Sequence, residues 1–310
     1  MGKLQLSIKT ILILVFFTGT CTALNSQTGT MGGDFLKING SARSAAMGGA
    51  FIAIADDPSA IYWNPAGLTQ MDKAQFLSTY MSWLADISYT DLSFVLPVRN
   101  NCFGLTVNYL NAGQIEETTS ANPDGTGRIF SPYDYFITLS YARAVLPDFS
   151  FGIGGKWIGE MLDLSSVAGY SFDLGLLWKP TKLGTFGFSC RNFLGGFAGT
   201  SVPANYGIGY SYKLKDRFKD ITFALDLNLP SDDNMFTNFG AEYNFEDGFF
   251  VRLGGSTKDI SNVYTSFGVG LNREKISFDY AYVPYGELGA AHRISIKIIP
   301  DIKNLSRFNR

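Results

Sequence analysis

Residues Tyr170–Trp178 have the sequence YSFDLGLLW. Large apolar side chains stand at every second position, and Ser171, Asp173 and Gly175 stand between them. Because successive side chains of a β-strand point to opposite faces, this alternation predicts a strand with one apolar face. The same period of two recurs from about residue 75 to residue 298, so the sequence predicts an all-β protein.

Charged residues keep to one face of the predicted strands. The apolar phase carries almost no charge, whereas the other phase carries Lys156, Asp173, Arg191, Asp226, Glu242, Arg252, Asp279, Arg293 and Lys297. A Lys or Arg that faces lipid costs about 2–4 kcal/mol at the bilayer midplane, so this separation favours hydrocarbon on the apolar side. The alternative is a soluble sandwich with the apolar face inside. Its outer face would be rich in charge, whereas here the second face is mostly Gly, Ser, Thr and Asn.

The repeats predict a transmembrane antiparallel β-barrel of about 14 strands over residues 74–299. An even strand number is typical of bacterial outer-membrane barrels. Short connections are predicted near Val98–Asn101, Arg143–Asp148, Lys179–Gly184, Lys213–Asp220, Glu246–Gly248 and Asn272–Lys275. Longer ones are predicted near Asn111–Pro132, Phe193–Ala204, Leu229–Thr237, Thr257–Thr265 and Val283–Ala291. Such alternation is typical of periplasmic turns and extracellular loops, and it places both barrel ends on the periplasmic side.

The amino-acid composition agrees with a barrel in the outer membrane and argues against several other classes of protein. The 310 residues include 34 glycines, aromatics make up 15% and charged residues only 17%. A net charge of −2 gives no reason to expect nucleic acid as a partner. His292 is the one histidine of the chain, so a His-based metal site or a Ser-His-Asp hydrolase is hard to build. We therefore expect no enzyme, no metal and no cofactor, and we do not favour a disulfide between Cys102 and Cys190.

Both ends of the chain carry segments outside the predicted barrel. Residues 1–23 have the pattern of a secretory signal peptide, with Lys3 and Lys9 before a short apolar run. Cleavage after Ala23 is favoured over lipidation at Cys21. Residues 300–310 are polar and predict a C-terminal tail in the periplasm.

Residues 24–73 do not alternate like strands and predict a separate N-terminal segment. Small residues from Gly40 to Ala50 allow backbone to pack closely on backbone. Asp57-Pro58 and Asn64-Pro65 each combine a capping side chain with proline at the first helical position. We expect a plug inside the lumen, with Arg43 paired to Asp56, Asp57 or a lumen carboxylate. The alternative is a cap that lies below the barrel.

A family resemblance rests on this segment. The run GSARSAAMGGAFIAIADDPSAIYWNPAGL, Gly40–Leu68, resembles the N-terminal signature of the PorV/PorQ family, which is itself similar to FadL-type transporters. The run Ala291–Ser295 is also similar to the family's last strand. The family's motif maps here to Gly40, Arg43, Met47, Gly48, Gly49, Asp56, Asp57, Asn64, Pro65, Ala66 and Gly67. One departure is the tail, because barrels of this kind commonly end at a terminal aromatic and the last aromatic here is Phe308.

The resemblance implies a role in type IX secretion, in which such barrels escort secreted cargo to the surface attachment machinery. The loop Asn111–Pro132, with Glu116, Glu117 and Asp124, is then the longest candidate contact surface, although an ordinary solvated loop also fits it. The alternative is FadL-like transport of long-chain fatty acids or other hydrophobic compounds. The inward-phase residues Phe136, Leu177 and Phe250 are either pocket walls for such a compound or contacts of the plug.

Overall fold

The computed structural model describes residues 31–38, 40–83, 87–216, 219–245, 248–259 and 262–301. The predicted signal peptide and residues 302–310 of the predicted tail, with Phe308, lie outside these ranges. Within them, fourteen antiparallel strands form a barrel wall: β1 Gln75–Ser82, β2 Ser88–Val98, β3 Asn101–Asn111, β4 Tyr133–Leu146, β5 Phe149–Leu162, β6 Ser165–Trp178, β7 Gly184–Phe197, β8 Asn205–Asp216, β9 Lys219–Pro230, β10 Phe236–Asn244, β11 Phe249–Asp259, β12 Asn262–Arg273, β13 Ile276–Pro284 and β14 Ala290–Ile298.

The wall is a closed ring. Each strand is hydrogen-bonded to its neighbour in sequence, and β1 pairs with β14 through a register that includes Thr79 opposite Ser295. Closure leaves no barrel strand with an unpaired edge, which a sheet in hydrocarbon requires. In the described part of the chain, no helix is long and apolar enough to cross a membrane.

The two faces of the wall are those that the period of two predicts. Leu139 of β4 is 66% exposed on the outside, whereas Asp173 of β6 is 1% exposed on the inside. The predicted interior charges are buried: Lys156, Asp173, Arg191, Asp226, Glu242, Arg252, Asp279 and Arg293. Phe149, which the alternation puts on the outer face, is instead buried. Phe149 is the first residue of β5, and the pairing of β5 with β4 has a register shift between Ala144 and Leu146. The regular alternation of inward and outward side chains is broken at this shift.

The connections form two rims. The short-turn rim holds both ends of the wall, Gln75 and Ile298, and the long-loop rim holds the 111–132 loop. That loop contains a small hairpin in which Ile115–Glu116 pairs with Ile129–Phe130. In the loop between β7 and β8, the two-residue strand Thr200–Ser201 pairs with the end of β7.

Four strands run further than the sequence pattern indicates. β5 and β6 continue to a turn at Asp163–Leu164, β7 continues to Phe197, and β11 reaches Asp259. The predicted loops that begin at Phe193 and Thr257 are therefore partly strand. Small and polar residues interrupt the alternation there, although the backbone still pairs. The pairing of β6 with β7 is also irregular, with register shifts around Phe172.

In residues 31–38 and 40–74, the described part of the chain before β1, the helices are all short. They are α1 Ala42–Ala46, α2 Ala60–Trp63 and the 3₁₀ turns Asp34–Lys37 and Pro65–Gln70. The Asn64-Pro65 cap forms as predicted, because Asn64 Oδ1 accepts from the Ala66 N–H at 3.1 Å and Pro65 begins the turn. The Asp57-Pro58 prediction was two residues early. Asp57 Oδ1 accepts from the Ser59 N–H at 2.9 Å, and α2 begins only at Ala60.

Candidate functional site

The segment Met31–Ala74, here called the interior segment, packs against the inner wall of the barrel. Nine wall glycines on eight strands lie so close to it that a methyl group on any of them would come within 3.0 Å of a segment atom: Gly104, Gly152, Gly175, Gly187, Gly207, Gly209, Gly240, Gly254 and Gly268. The methyl group would lie 2.0 Å from the Gly48 nitrogen at Gly254 and 2.5 Å from the Ile52 oxygen at Gly187. At Gly152, Gly175, Gly187, Gly209, Gly240 and Gly254 the methyl group would meet backbone atoms of the segment, so backbone packs directly on backbone at these six points.

The glycines of the motif are needed for close packing, both against the wall and within the interior segment. Gly48 and Gly49 have φ angles of +66° and +80°, which favour glycine over other residues. A methyl group on Gly67 would lie 2.2 Å from the Ala55 oxygen, and one on Gly40 would lie 2.7 Å from Asp91 Cβ of the wall. These positions fix the path of the interior segment.

Side chains form hydrogen bonds to buried backbone groups where the interior segment meets the wall. Asp226 Oδ2 accepts from the Phe51 and Ile52 N–H groups at 2.6 and 2.8 Å. Asn64 of the motif spans the interface, since its Nδ2 donates to the carbonyls of Ile52 and Leu176, each at 3.0 Å. Met47, Pro65 and Ala66 of the motif are buried in the same contact.

Arg43 lies at the centre of an ion network that faces the short-turn rim. Its Nε and Nη2 donate to the two oxygens of Glu242 at 2.8 and 2.9 Å, and its Nη1 lies 2.5 Å from Asp56 and 3.4 Å from Asp57. Arg252 adds a second cation, which donates to Glu242 at 2.6 Å and to Asp279 at 2.6 Å. All three partners that the sequence suggested for Arg43 are thus beside it.

Asp56 belongs to this network from the side of the interior segment. Burial raises the pKa of its carboxyl, but the charges of Arg43 and Lys213 and the hydrogen bond from Arg43 together lower it further, so the pKa lies below the usual value. The network borders a polar cavity of about 230 Å³ that is also lined by Lys213 and Lys297. Phe250 lines this cavity too, with the Arg252 guanidinium 5.1 Å from its ring centre.

The remaining interior charges lie nearer the long-loop rim. Lys156 pairs with Asp173 at 3.3 Å and is also hydrogen-bonded to Asn192. Arg191 stacks its guanidinium on two rings of the interior segment, 5.1 Å from the Tyr62 centre and 4.9 Å from the Trp63 centre. Arg293 is buried and lines the cavity described next.

A larger cavity of about 630 Å³ opens towards the long-loop rim. Its floor includes Gly49, Tyr62 and Trp63 of the interior segment, and its wall includes Arg191 and Asn228. Sequence reasoning missed Tyr62, Trp63 and Asn228. The inward phase of Asn228 was a usable signal, but the position of the two aromatic rings depends on the fold of the segment. Phe136 contacts the interior segment, with its ring centre 6.3 Å from that of Phe35, and Leu177 is buried.

The hairpin in the 111–132 loop uses its acidic side chains internally. Arg128 bridges Glu117, at 3.2 Å, and Asp163 of the β5–β6 turn, at 2.5 Å. Glu116 accepts from the Gly127 N–H at 3.1 Å. Two apolar side chains of the hairpin are exposed as well, Ile115 at 42% and Ile129 at 60%.

His292 is on the outer face of β14, where its Nδ1 lies 2.8 Å from the Tyr280 hydroxyl. Cys102 and Cys190 are buried and free.

Comparisons with known proteins match this architecture. Residues 22–175, about half of the chain, match the family described as type IX secretion system protein PorV. The toluene transporter TodX of Pseudomonas putida is similar in structure, with a TM-score of 0.57, 12% identity and coverage of 88% of this chain and 97% of that one. A FadL homologue of Pseudomonas aeruginosa gives a TM-score of 0.55, 14% identity and coverage of 84% and 99%.

The monoaromatic hydrocarbon channel CymD gives a TM-score of 0.58, 14% identity and coverage of 84% and 96%. Comparison with curated proteins gave no match. At these identities the similar structures establish the fold, and the family match agrees with the Gly40–Leu68 signature. The chain is an outer-membrane β-barrel that belongs to the PorV family, and its fold is similar to that of the FadL homologue and TodX.

Proposed function

We propose that this protein works in type IX secretion, where it binds secreted proteins or their surface attachment machinery at the long-loop rim. The observation that carries the proposal is the match of residues 22–175 to the PorV family. We also propose that the interior segment acts as a plug. Residues 40–70 lie between the two cavities and contact the wall through backbone, which supports a role at the rim rather than conduction through the lumen.

The rim offers a surface of suitable chemistry for a protein partner. Ile129 of the hairpin and Leu164 of the neighbouring β5–β6 turn are 60% and 88% exposed, and the Arg128–Asp163 ion pair holds the two loops together. A contiguous group of exposed apolar side chains is a feature of protein contact sites, which supports this surface as the partner site.

The test is cargo secretion in cells that depend on the protein. The variant combines Ile115→Ser, Ile129→Ser and Leu164→Ser, and the control is Met235→Ser, which changes another exposed apolar residue of the same rim, at 62% exposure. Loss of a central contact predicts a fall of about tenfold or more in surface cargo for the variant. Both proteins are compared at equal outer-membrane abundance. Unchanged secretion and unchanged co-purification of cargo would contradict the rim proposal.

Uptake of a hydrophobic compound is the second candidate, and the 630 Å³ cavity favours it, because ligand pockets commonly have this size. Phe35, Leu36 and Tyr285 give that cavity apolar walls. Vesicles or cells that contain the protein would show saturable uptake of a fatty acid or an aromatic hydrocarbon. No saturable uptake would rule this function out.

A further inference from the structure

The interior segment runs through the whole length of the closed ring. It joins β1 at the short-turn rim, where the Thr69 hydroxyl lies 2.8 Å from that of Ser150 at the start of β5. Its other end is at the long-loop rim, where the Gly32 N–H donates to the Ser201 carbonyl at 3.3 Å. A segment that entered after the ring had closed would therefore have to carry its N-terminal end from one rim to the other.

Two parts of the segment contact opposite halves of the sheet. The helix α1 packs on β11, β12, β13 and β14, the last four strands of the wall. The 3₁₀ turn Pro65–Gln70 packs instead on β2, β3, β4, β5 and β6, near the beginning of the wall. The edges of these two halves are β14 and β1, the strands that must pair to close the ring. One segment thus holds both halves of the sheet together.

The segment is also hydrogen-bonded at the seam between β14 and β1. Thr79 and Ser295 are a facing pair across this seam, 0% and 1% exposed, and their hydroxyl oxygens are 2.8 Å apart. The Ser295 oxygen also accepts from the Ala42 N–H at the start of α1, at 2.9 Å. Beside it, Ala46 of α1 and Ala281 of β13 belong to one buried cluster. A single hydroxyl group therefore connects the segment to both strands of the seam.

Pairing at the seam joins the two strands that are most distant in sequence. Thr79 and Ser295 are 216 residues apart. Loop-closure entropy opposes such a contact before the pairing repays it, so contacts of this kind form slowly. Until they form, both edges of the sheet carry unpaired N–H and C=O groups, which are costly in hydrocarbon. A segment docked on both halves of the open sheet would hold β1 near β14 and lower the entropic cost of closure.

We propose that the interior segment is the template on which the ring closes. It docks on the first and last strands while the sheet is open, and β1 and β14 then pair around it. The backbone ladder between β1 and β14 does not include the segment, so weaker docking slows closure rather than preventing it. This assembly function rests on the path of the segment and its contacts at the seam. It is therefore independent of cargo binding at the rim and of leakage through the lumen.

The first test follows the order of events. The chain is produced from residue 24 onward with Cys190→Ser, so that Cys102 is its one thiol. Cys102 is 1% exposed and packs with Leu68 and Met71 of the segment, so its reaction with a maleimide reports whether the segment is docked. The chain is diluted from urea into lipid vesicles, and pulses of maleimide are compared with the mobility shift of closed barrels in unheated gels.

Protection of Cys102 is expected at or before the appearance of the closed form. A closed form whose Cys102 still reacts would overturn the proposal, because the ring would then have closed before the segment was in place.

The second test measures the rate of closure in serine variants. Ser266 of β12 lies away from the seam and is hydrogen-bonded to the segment, at 3.0 Å from the Gly48 nitrogen and 3.2 Å from the Ala46 oxygen. If docking precedes closure, Ser266→Ala should slow closure about three- to tenfold, the effect of one lost hydrogen bond in the transition state. Ser166→Ala, which changes an exposed serine of β6, is the control and should close at the parent rate.

Variants at the seam separate the contact with the segment from the pairing of the strands. Thr79→Ala removes the hydrogen bond between the strands and leaves the Ala42 N–H its acceptor, whereas Ser295→Ala removes both. Ser295→Ala should therefore close more slowly than Thr79→Ala. Equal rates for these two variants, together with an unchanged rate for Ser266→Ala, would show that the segment enters after closure and that the proposal is wrong.

Discussion

At the scale of single residues, the contact between Gly254 and Gly48 is the most sensitive point of the interior. A methyl group at position 254 would meet the Gly48 nitrogen at 2.0 Å and the Met47 carbonyl carbon at 2.2 Å, both backbone atoms that have no rotamer to change. Gly254→Ala is therefore expected to destabilise the protein by about 1–3 kcal/mol. Denaturant unfolding in lipid vesicles measures the change.

Gly155 of β5 provides the matched control. It is exposed on the outer face, and a methyl group there would meet nothing within 4 Å. Gly155→Ala also replaces a strand glycine by alanine, but its methyl group does not meet the interior segment. The unfolding free energy of this variant should therefore stay close to that of the parent protein. Equal destabilisation by the two variants would show that alanine is tolerated poorly in these strands and that contact with the interior segment is not the cause.

Arg43 leads to a prediction about charge. Replacing it by Met leaves Asp56 and Asp57 without the cation beside them and Glu242 with only Arg252, and loss of one partner from a buried network costs about 3–5 kcal/mol. Arg128→Met breaks exposed ion pairs in the rim hairpin instead and should cost no more than about 1 kcal/mol. The unfolding free energies of both variants at neutral pH check this difference.

The same network predicts a direction with pH. The pKa of Asp56 lies below its unfolded value because of Arg43, so its contribution to stability is complete above the unfolded pKa of an aspartate. That contribution is lost as the pH falls through the folded pKa, where the carboxyl binds a proton. The stability difference between the parent protein and Arg43→Met should therefore narrow in acid, below about pH 4. A difference that stays constant with pH would contradict an electrostatic role.

At the scale of elements, the interior segment is expected to close the lumen. Residues 41–70 separate the two cavities, so their deletion should raise the leakage of small solutes through barrels reconstituted in vesicles. Folding of the shortened barrel is checked by its resistance to protease. Folded barrels with unchanged permeability would count against a plug.

The strands and the interior segment differ in how much of them could be predicted. Strand faces follow from the period of two, because lipid outside and a packed lumen inside impose the same rule on every strand. The charged residues Lys156, Asp173 and Glu242 were therefore placed correctly on the inner face. The ends of β5, β6, β7 and β11 were missed, because pairing continues there through small and polar residues that do not alternate.

The contacts inside the lumen were less predictable. The motif predicts close backbone packing and an ion pair for Arg43, because its small residues and its charged residues can be read directly from the local sequence. Which wall glycine meets which segment atom depends on the three-dimensional path of a segment with little regular structure. The stacking of Arg191 on Tyr62 and Trp63 joins residues more than 120 positions apart, and no sequence period relates them.

At the scale of the whole molecule, the outer surface is stable only if hydrocarbon surrounds it. Leu139 lies near the middle of β4 and is 66% exposed, so Leu139→Lys places a charge on the lipid face close to mid-depth. The expected cost is about 2–4 kcal/mol in unfolding from lipid vesicles. Leu164→Lys at the β5–β6 turn is the control, because Leu164 is 88% exposed at the rim, where a lysine reaches water and should cost at most about 1 kcal/mol. If both lysines had the same small effect, the exposed apolar face would not be in contact with hydrocarbon. The separation of charged and apolar side chains would then need a cause other than lipid.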